Sequence, residues 1–353
     1  MNNQKEYLDK LISILIREGG SDLHISVSRY PAVRVSGELV FLMQEHQLSK
    51  EEVAGIIEAM IGPALFEKFT KDQEVDFAYS HGLEVRLRGN AYVQRGNYSI
   101  ALRLIPKVKT LQELNLPPIL ETFARKKQGF FLVVGPVGQG KSTTMAAMID
   151  LINKERTERI LTIEDPVEYM FEQKSSIIDQ REVGIDTKDF NTALTSVFRE
   201  DVNVIMVGEM RSSETISTAV TAAETGHLVF STLHTNNASQ TIDRIIDSFP
   251  PEQQDQIRLQ LSSSLLGIFS QRLIPRIAGG RVPAYELLIN NNAVANLIRE
   301  KMTHEINMVI ETGFENGMID MNRSLVELVR RGEISIDNAY LYSVNPKALE
   351  KLM

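Results

Sequence analysis

The sequence contains no cysteine, which excludes disulfide scaffolds, thiol catalysis and any zinc site built on Cys ligands. It also lacks a run of the roughly 20 apolar residues needed to span a bilayer. Its N-terminus does not have the basic-then-apolar layout of a signal peptide. Positive charge is in short supply, with 38 Lys+Arg against 46 Asp+Glu and a formal net charge of −8. That balance argues against non-specific nucleic-acid binding, which needs a basic surface to displace phosphate counterions, and leaves room only for a local basic groove. No internal repeat is present. The expectation is a soluble, cytoplasmic protein with no nucleic-acid partner, held at any membrane by another protein.

What is present is an ordinary globular balance of 43% apolar and 24% charged residues. A length of 353 residues predicts about two domains at roughly 100–200 residues each. Leu8, Leu11, Ile12 and Leu15 recur at helical spacing and Gly19-Gly20 supplies the stop, so an amphipathic helix opens the chain. Short β-rich runs then follow up to residue 105, with one helical pattern at 51–60. The expected first domain is therefore α+β and spans 1–105. Pro106, Pro117 and Pro118 mark 106–118 as a linker.

From Phe130 the pattern changes. Apolar runs (FFLVV, RILTI, NVIMV, LVFST) alternate with longer helical patterns, the signature of βαβ units around a parallel sheet. One further strand pattern, VPAYELLI, follows Gly280, and helical segments follow at 294–299 and 324–331. The expectation for 119–353 is an α/β domain ending in helices.

Gly135-Pro136-Val137-Gly138-Gln139-Gly140-Lys141-Ser142, followed by Thr143, satisfies G-x-x-x-x-G-K-[ST]. Glycines let successive backbone N–H groups curl around phosphate oxygens, Lys141 can reach the β- and γ-phosphates, and the Ser142 hydroxyl can ligate Mg²⁺. The motif lies between a strand pattern and a helix pattern, which is the context its chemistry requires. A nucleoside triphosphate ligand is expected.

Two carboxylate sites end apolar strands: Glu164-Asp165-Pro166 after RILTI, and Glu209 after NVIMV-Gly208. In a doubly wound sheet both project beside the phosphate loop. One could polarise water and the other could hold the shell of a metal, while turn or helix capping competes as an explanation for Glu164 and Asp165. Arg211 is expected to pair with Glu209 rather than with phosphate. His227 and His234 bracket LVFST, and their spacing across a strand argues against a shared metal. For His234 a phosphate-sensing hydrogen bond and a purely local one stay open. Arg86, Arg88, Arg95 and Arg103 crowd β-patterned segments of the first domain. They form either a solvated strand face or a set reaching a neighbouring subunit's γ-phosphate.

GPVGQGKSTT, TIEDPVEY, QREVG, VGEMR and TAAETGHLVFSTLHTN together resemble the secretion-type ATPases of pili and type II secretion, and within them the type IV pilus retraction ATPases of twitching motility. The resemblance implies a PAS-like N-terminal domain, a RecA-like P-loop ATPase domain with a helical C-terminal extension, ATP and Mg²⁺ as ligands, and a homohexamer. It implies an inner-membrane pilus platform as partner, pilin as indirect cargo, and a place on the inner face of the membrane. In residue terms it makes Glu164 the general base, Glu209 the Walker-B acid, and His227 and His234 members of a His box. Arg88, Arg95 and Arg103 fall where that family offers arginines to nucleotide. Two departures stand out. Ala295 occupies a position where Arg is usual in an AIRNLIRE-like stretch at 293–300, and Val137 and Gln139 replace small hydroxyl residues of the loop. The helix and the loop's backbone donors should survive both. Extension and secretion relatives are longer and often carry a tetracysteine zinc element, which a chain without cysteine cannot build.

Overall fold

The computed structural model describes residues 2–353 apart from Ser36, Leu83 and Glu84. Two compact units divide the chain, Met1–Lys107 and Val108–Met353.

The first unit runs α1 (Asn2–Arg17), β1 (Asp22–Ser26), β2 (Ala32–Val35), β3 (Glu38–Phe41), α2 (Lys50–Asp72), β4 (Glu74–His81), β5 (Val85–Gln94) and β6 (Asn97–Leu104). Its strands form an antiparallel sheet in the order β3-β2-β1-β6-β5-β4. Leu8, Leu11, Ile12 and Leu15 of α1 are fully buried against Leu23, Ile25, Leu87 and Ile100 of the sheet, as their helical spacing requires. A capping box between Ser49 and Glu52 starts α2. The helical pattern expected at 51–60 ends close to that point, because the backbone leaves helical geometry at Gly62 (φ 74°, ψ 166°), and a second helical run from Pro63 completes α2, with Phe69 fully buried.

The second unit begins with α3 (Ile119–Ala124), β7 (Gly129–Val134), α4 (Lys141–Glu155), β8 (Arg159–Glu164), β9 (Ile177–Glu182), α5 (Phe190–Ser196) and β10 (Val204–Val207). It continues with α6 (Ser213–Glu224), β11 (Leu228–Leu233), α7 (Ala238–Asp247), α8 (Pro251–Ser264), β12 (Leu265–Pro275) and β13 (Arg281–Ile289). It closes with α9 (Asn292–Arg299), α10 (Ile306–Thr312), α11 (Met321–Arg330), α12 (Ile336–Tyr342) and α13 (Pro346–Leu352). The sheet order is β13-β12-β7-β11-β10-β8-β9, parallel except for the antiparallel edge strand β13.

All six residues of β7 are buried, and their alternation feeds two cores. Phe130, Leu132 and Val134 pack with α5 to α8 on one face, while Phe131 and Val133 pack with α3 and α4 on the other. This is the double covering that parallel strands require.

Two strands, β9 and β12, carry no clear pattern in the sequence. IIDQRE of β9 has too few apolar residues to read as a core strand, and β12 starts directly where α8 stops, with no turn residue between them. Within 106–118, Leu111 and Leu116 are 6% exposed and join the core beneath α3 and α4. Packing of the second unit thus begins upstream of the point suggested by the prolines. Helix α9 continues through Ala295, with Val294, Leu297 and Ile298 buried on its inner face.

Candidate active site

The phosphate loop links β7 to α4 and opens at the carboxyl ends of the parallel strands. Gly135 (φ 145°) and Gly140 (φ 79°) occupy conformations that residues with a Cβ rarely adopt. A Cβ on Gly135 would also collide with the carbonyl oxygen of Gln271. Lys141 opens α4 and folds back over the loop, its ammonium donating to the carbonyls of Gly135 (2.8 Å) and Pro136 (2.9 Å). Burial pushes this ammonium below its usual pKa, while Glu168 and Glu209 pull in the opposite direction. The first turn is tied down by Thr143, whose hydroxyl lies 2.8 Å from that of Tyr169.

A cleft of about 440 Å³ lies over the loop, and Ser142, Glu164, Glu209, Thr232 and His234 all line it. Glu164 is the last residue of β8 and only 5% exposed. Its Oε1 accepts from the Thr162 hydroxyl (2.8 Å) and the Gln180 amide (3.3 Å), and its Oε2 from the backbone N–H of Glu168 (3.3 Å). Burial pushes its carboxyl up to about 7, against the pull of those three donors. A buried carboxyl that titrates near neutrality beside a phosphate loop suits proton transfer.

Glu209 follows β10 on the neighbouring strand and has a different company. Arg211 pairs with it, and His234 Nε2 lies 3.6 Å from its other oxygen. His234 follows β11, and its Nδ1 stands 3.3 Å from the Lys141 ammonium. An ammonium can only donate, so Nδ1 accepts and the ring's remaining proton sits on Nε2, facing Glu209. His234 therefore bridges the loop lysine and the second carboxylate. Among the described residues no group of three or more His, Asp or Glu side chains could hold a metal by itself. The oxygen donors present, the Ser142 hydroxyl and the Glu209 carboxylate, fit Mg²⁺, which is commonly held by one or two side chains together with water and substrate phosphate.

His227 is not brought to this cleft. It precedes β11, at the amino ends of strands whose carboxyl ends carry the loop, and its Nδ1 bonds the carbonyl of Ala222 at 3.0 Å. The polarity of a parallel strand separates the two histidines. Arg88, Arg95 and Arg103 lie in the first unit and are exposed. Arg88 and Arg103 face one another across β5 and β6. Arg103 Nε donates to Asp22 at 2.8 Å, whereas Arg88 and Arg95 have no ion-pair partner among the described residues.

Sequence reading gave no site role to Thr162, Glu168 and Tyr169 of TIEDPVEY, to Gln180 of QREVG, or to Gln271 and Arg281, all of which touch or line the site. Glu168 and Tyr169 were within reach, since both lie in the stretch that follows Glu164. Gln271 left no trace, since it sits in a polar Ser270-Gln271-Arg272 run.

The family profile described as Type II/IV secretion system protein matches residues 3–313. This chain belongs to that family, among its ATPases. The type IV pilus retraction ATPase PilT of Pseudomonas aeruginosa is 42% identical to this secretion ATPase over 94% of the chain and 96% of its own length. The type IV pilus ATPase PilU of the same organism is 39% identical over 95% and 88%. A crystal structure of the pilus retraction motor PilT with bound ADP superimposes with a TM-score of 0.91, at 44% identity, covering 97% of this secretion ATPase and 98% of that chain.

Proposed function

We propose that this ATPase is the motor of type IV pilus retraction, working as a Mg²⁺-dependent homohexamer on an inner-membrane pilus platform. The observation that carries the reading is Glu164, a buried carboxyl titrating near 7 and facing the same cleft as the phosphate loop, in a chain 42% identical to PilT along nearly its whole length. No described helix is long and apolar enough to cross a membrane. Attachment from the cytoplasmic side, through the pilus machinery, is the arrangement we infer.

In this reading backbone N–H groups of 135–143 cradle the phosphates of ATP, and Lys141 neutralises their charge. Glu164 takes a proton from the attacking water. Ser142 and Glu209 would hold Mg²⁺, which supplies charge neutralisation on the phosphates when bound. His234, already joined to both Lys141 and Glu209, registers the occupancy of the phosphate site. Arginines from the PAS-like first unit of a neighbouring subunit complete the site. Arg88 and Arg95 are the better placed for this, because Asp22 already engages Arg103. The RecA-like second unit and its helices α9 to α13 carry the force to the pilin through the platform. No nucleic acid enters the cycle.

Phosphate release from ATP, followed colorimetrically, should fall to background in Lys141→Ala. Release that is equal in both proteins would remove the loop from catalysis. A deletion strain should be hyperpiliated and unable to twitch. Bald cells would instead assign the chain to pilus extension or type II secretion. An accessory role beside a second retraction motor is the competing reading. It is favoured by Ala295, which removes a charge from the AIRNLIRE-like helix. Retained twitching in the deletion strain would support it.

A further inference from the structure

Two glutamines face one another where the phosphate loop meets β12. Gln271 is 2% exposed, inside a strand of mainly apolar residues. Its amide NH₂ donates to the backbone carbonyl of Gln139 at 2.7 Å, and its Oε1 accepts from the Thr144 hydroxyl at 2.6 Å. Gln139 reaches back, its own Oε1 accepting from the backbone N–H of Leu273 at 2.6 Å. The backbone at Gly135 lies directly against the carbonyl of Gln271, and a Cβ on Gly140 would stand 3.0 Å from its amide nitrogen. One residue on one strand thus meets the loop's first glycine through its backbone carbonyl, and Gln139, the last glycine and the first turn of α4 through its side chain.

A buried amide is costly unless both of its ends are bonded. Here both ends are bonded, and every partner belongs to the loop or to its helix. Strand β12 is itself fixed on two sides, by parallel β7 and antiparallel β13, so it serves as a rigid reference. A loop that binds phosphate through N–H groups gains affinity when those groups are held convergent before the ligand arrives.

We infer that Gln271 is a positioning residue of the phosphate site, with Gln139 as its reciprocal. Together they staple the loop to β12 in its phosphate-ready curve, and Gln271 does so by acting through the loop. The inference rests on the nucleotide reading given above and adds to it the residue that preforms the site.

The test uses the full chain, ADP titrated calorimetrically and steady-state ATP hydrolysis. Gln271→Met keeps the length of the side chain and removes both hydrogen-bonding ends. The ADP dissociation constant and KM should each rise about tenfold, the effect of leaving buried partners unpaired. The value of kcat should stay within about threefold, because a preformed loop serves ground state and transition state alike. Gln139→Ser removes only the tie to Leu273 and should weaken ADP about threefold. The double variant should bind no more weakly than Gln271→Met alone, since the two glutamines form one unit. A role confined to strand packing would lower the melting temperature and leave ADP affinity and KM unchanged. Wild-type affinity in Gln271→Met, or a fall in kcat at constant KM, would overturn the inference. If Gln271→Met does not fold, Gln139→Ser decides, and wild-type ADP affinity there overturns it. A wild-type protein that binds no ADP would sink the nucleotide reading itself, a result plainly different from a variant that behaves like wild type.

Discussion

The carboxyl ends of β8 and β10 are neighbours in one sheet, and each presents a glutamate to the same cleft. Only neutral donors touch Glu164, namely a hydroxyl, an amide and one backbone N–H. Glu209 meets the guanidinium of Arg211 and the ring of His234. The strand end fixes where a carboxylate stands, and the company it keeps decides its chemistry. A carboxyl buried among neutral groups is disposed to exchange a proton, while one already engaged with a guanidinium and a ring is placed for ion pairing.

The strongest test of this contrast is the same substitution at both positions. Glu164→Gln should lower kcat roughly 10³-fold, in the range for loss of a general base, with ADP affinity nearly unchanged. Glu209→Gln should lower kcat by a smaller factor, about 10²-fold, and raise the Mg²⁺ concentration needed for half-maximal rate. Equal losses with an unchanged Mg²⁺ requirement would abolish the distinction. The next largest effect is on pH dependence. With the Glu164 carboxyl raised to about 7, the base is protonated and inactive below that value. Turnover should therefore rise with pH through about 7 and fall roughly tenfold per unit on the acid side. A profile that is flat from pH 5.5 to 8 would remove Glu164 from proton transfer. The smallest effect sharpens the contrast at the two ends of β11. His234→Ala should reduce kcat/KM about tenfold, losing the polar link between Lys141 and Glu209, and His227→Ala should leave kcat within about twofold of wild type.

The sequence showed the scaffold more readily than the surroundings of its functional groups. FFLVV, RILTI, NVIMV and LVFST are continuous apolar runs because their strands are covered on both faces, and the spacing of the phosphate loop is dictated by its ligand. Position at a strand end follows from those two facts, which is why Glu164, Glu209 and His234 were legible. His227 precedes the same strand, and the family motif that groups it with His234 ignores that this puts it at the opposite end from the loop. The partners that set the behaviour of Glu164 and of the loop were least legible. Gln271 meets Gln139 across 132 positions of sequence, and Gln180 meets Glu164 from β9, a strand without an apolar pattern. Such pairings depend on tertiary neighbours, and local periodicity does not encode them. The start of β12 escaped for a related reason, because pairing with β7 overrode local punctuation.

Strand β7 has both faces covered and a parallel neighbour on each side. Its amides should therefore exchange with deuterium only when the whole second unit opens, whereas those of the exposed loop residues Val137 and Gly138 exchange through local fluctuation. The phosphate loop hangs from the tip of this slowly exchanging strand, so displacement during a cycle is expected in the segments suspended from strand ends rather than in the sheet.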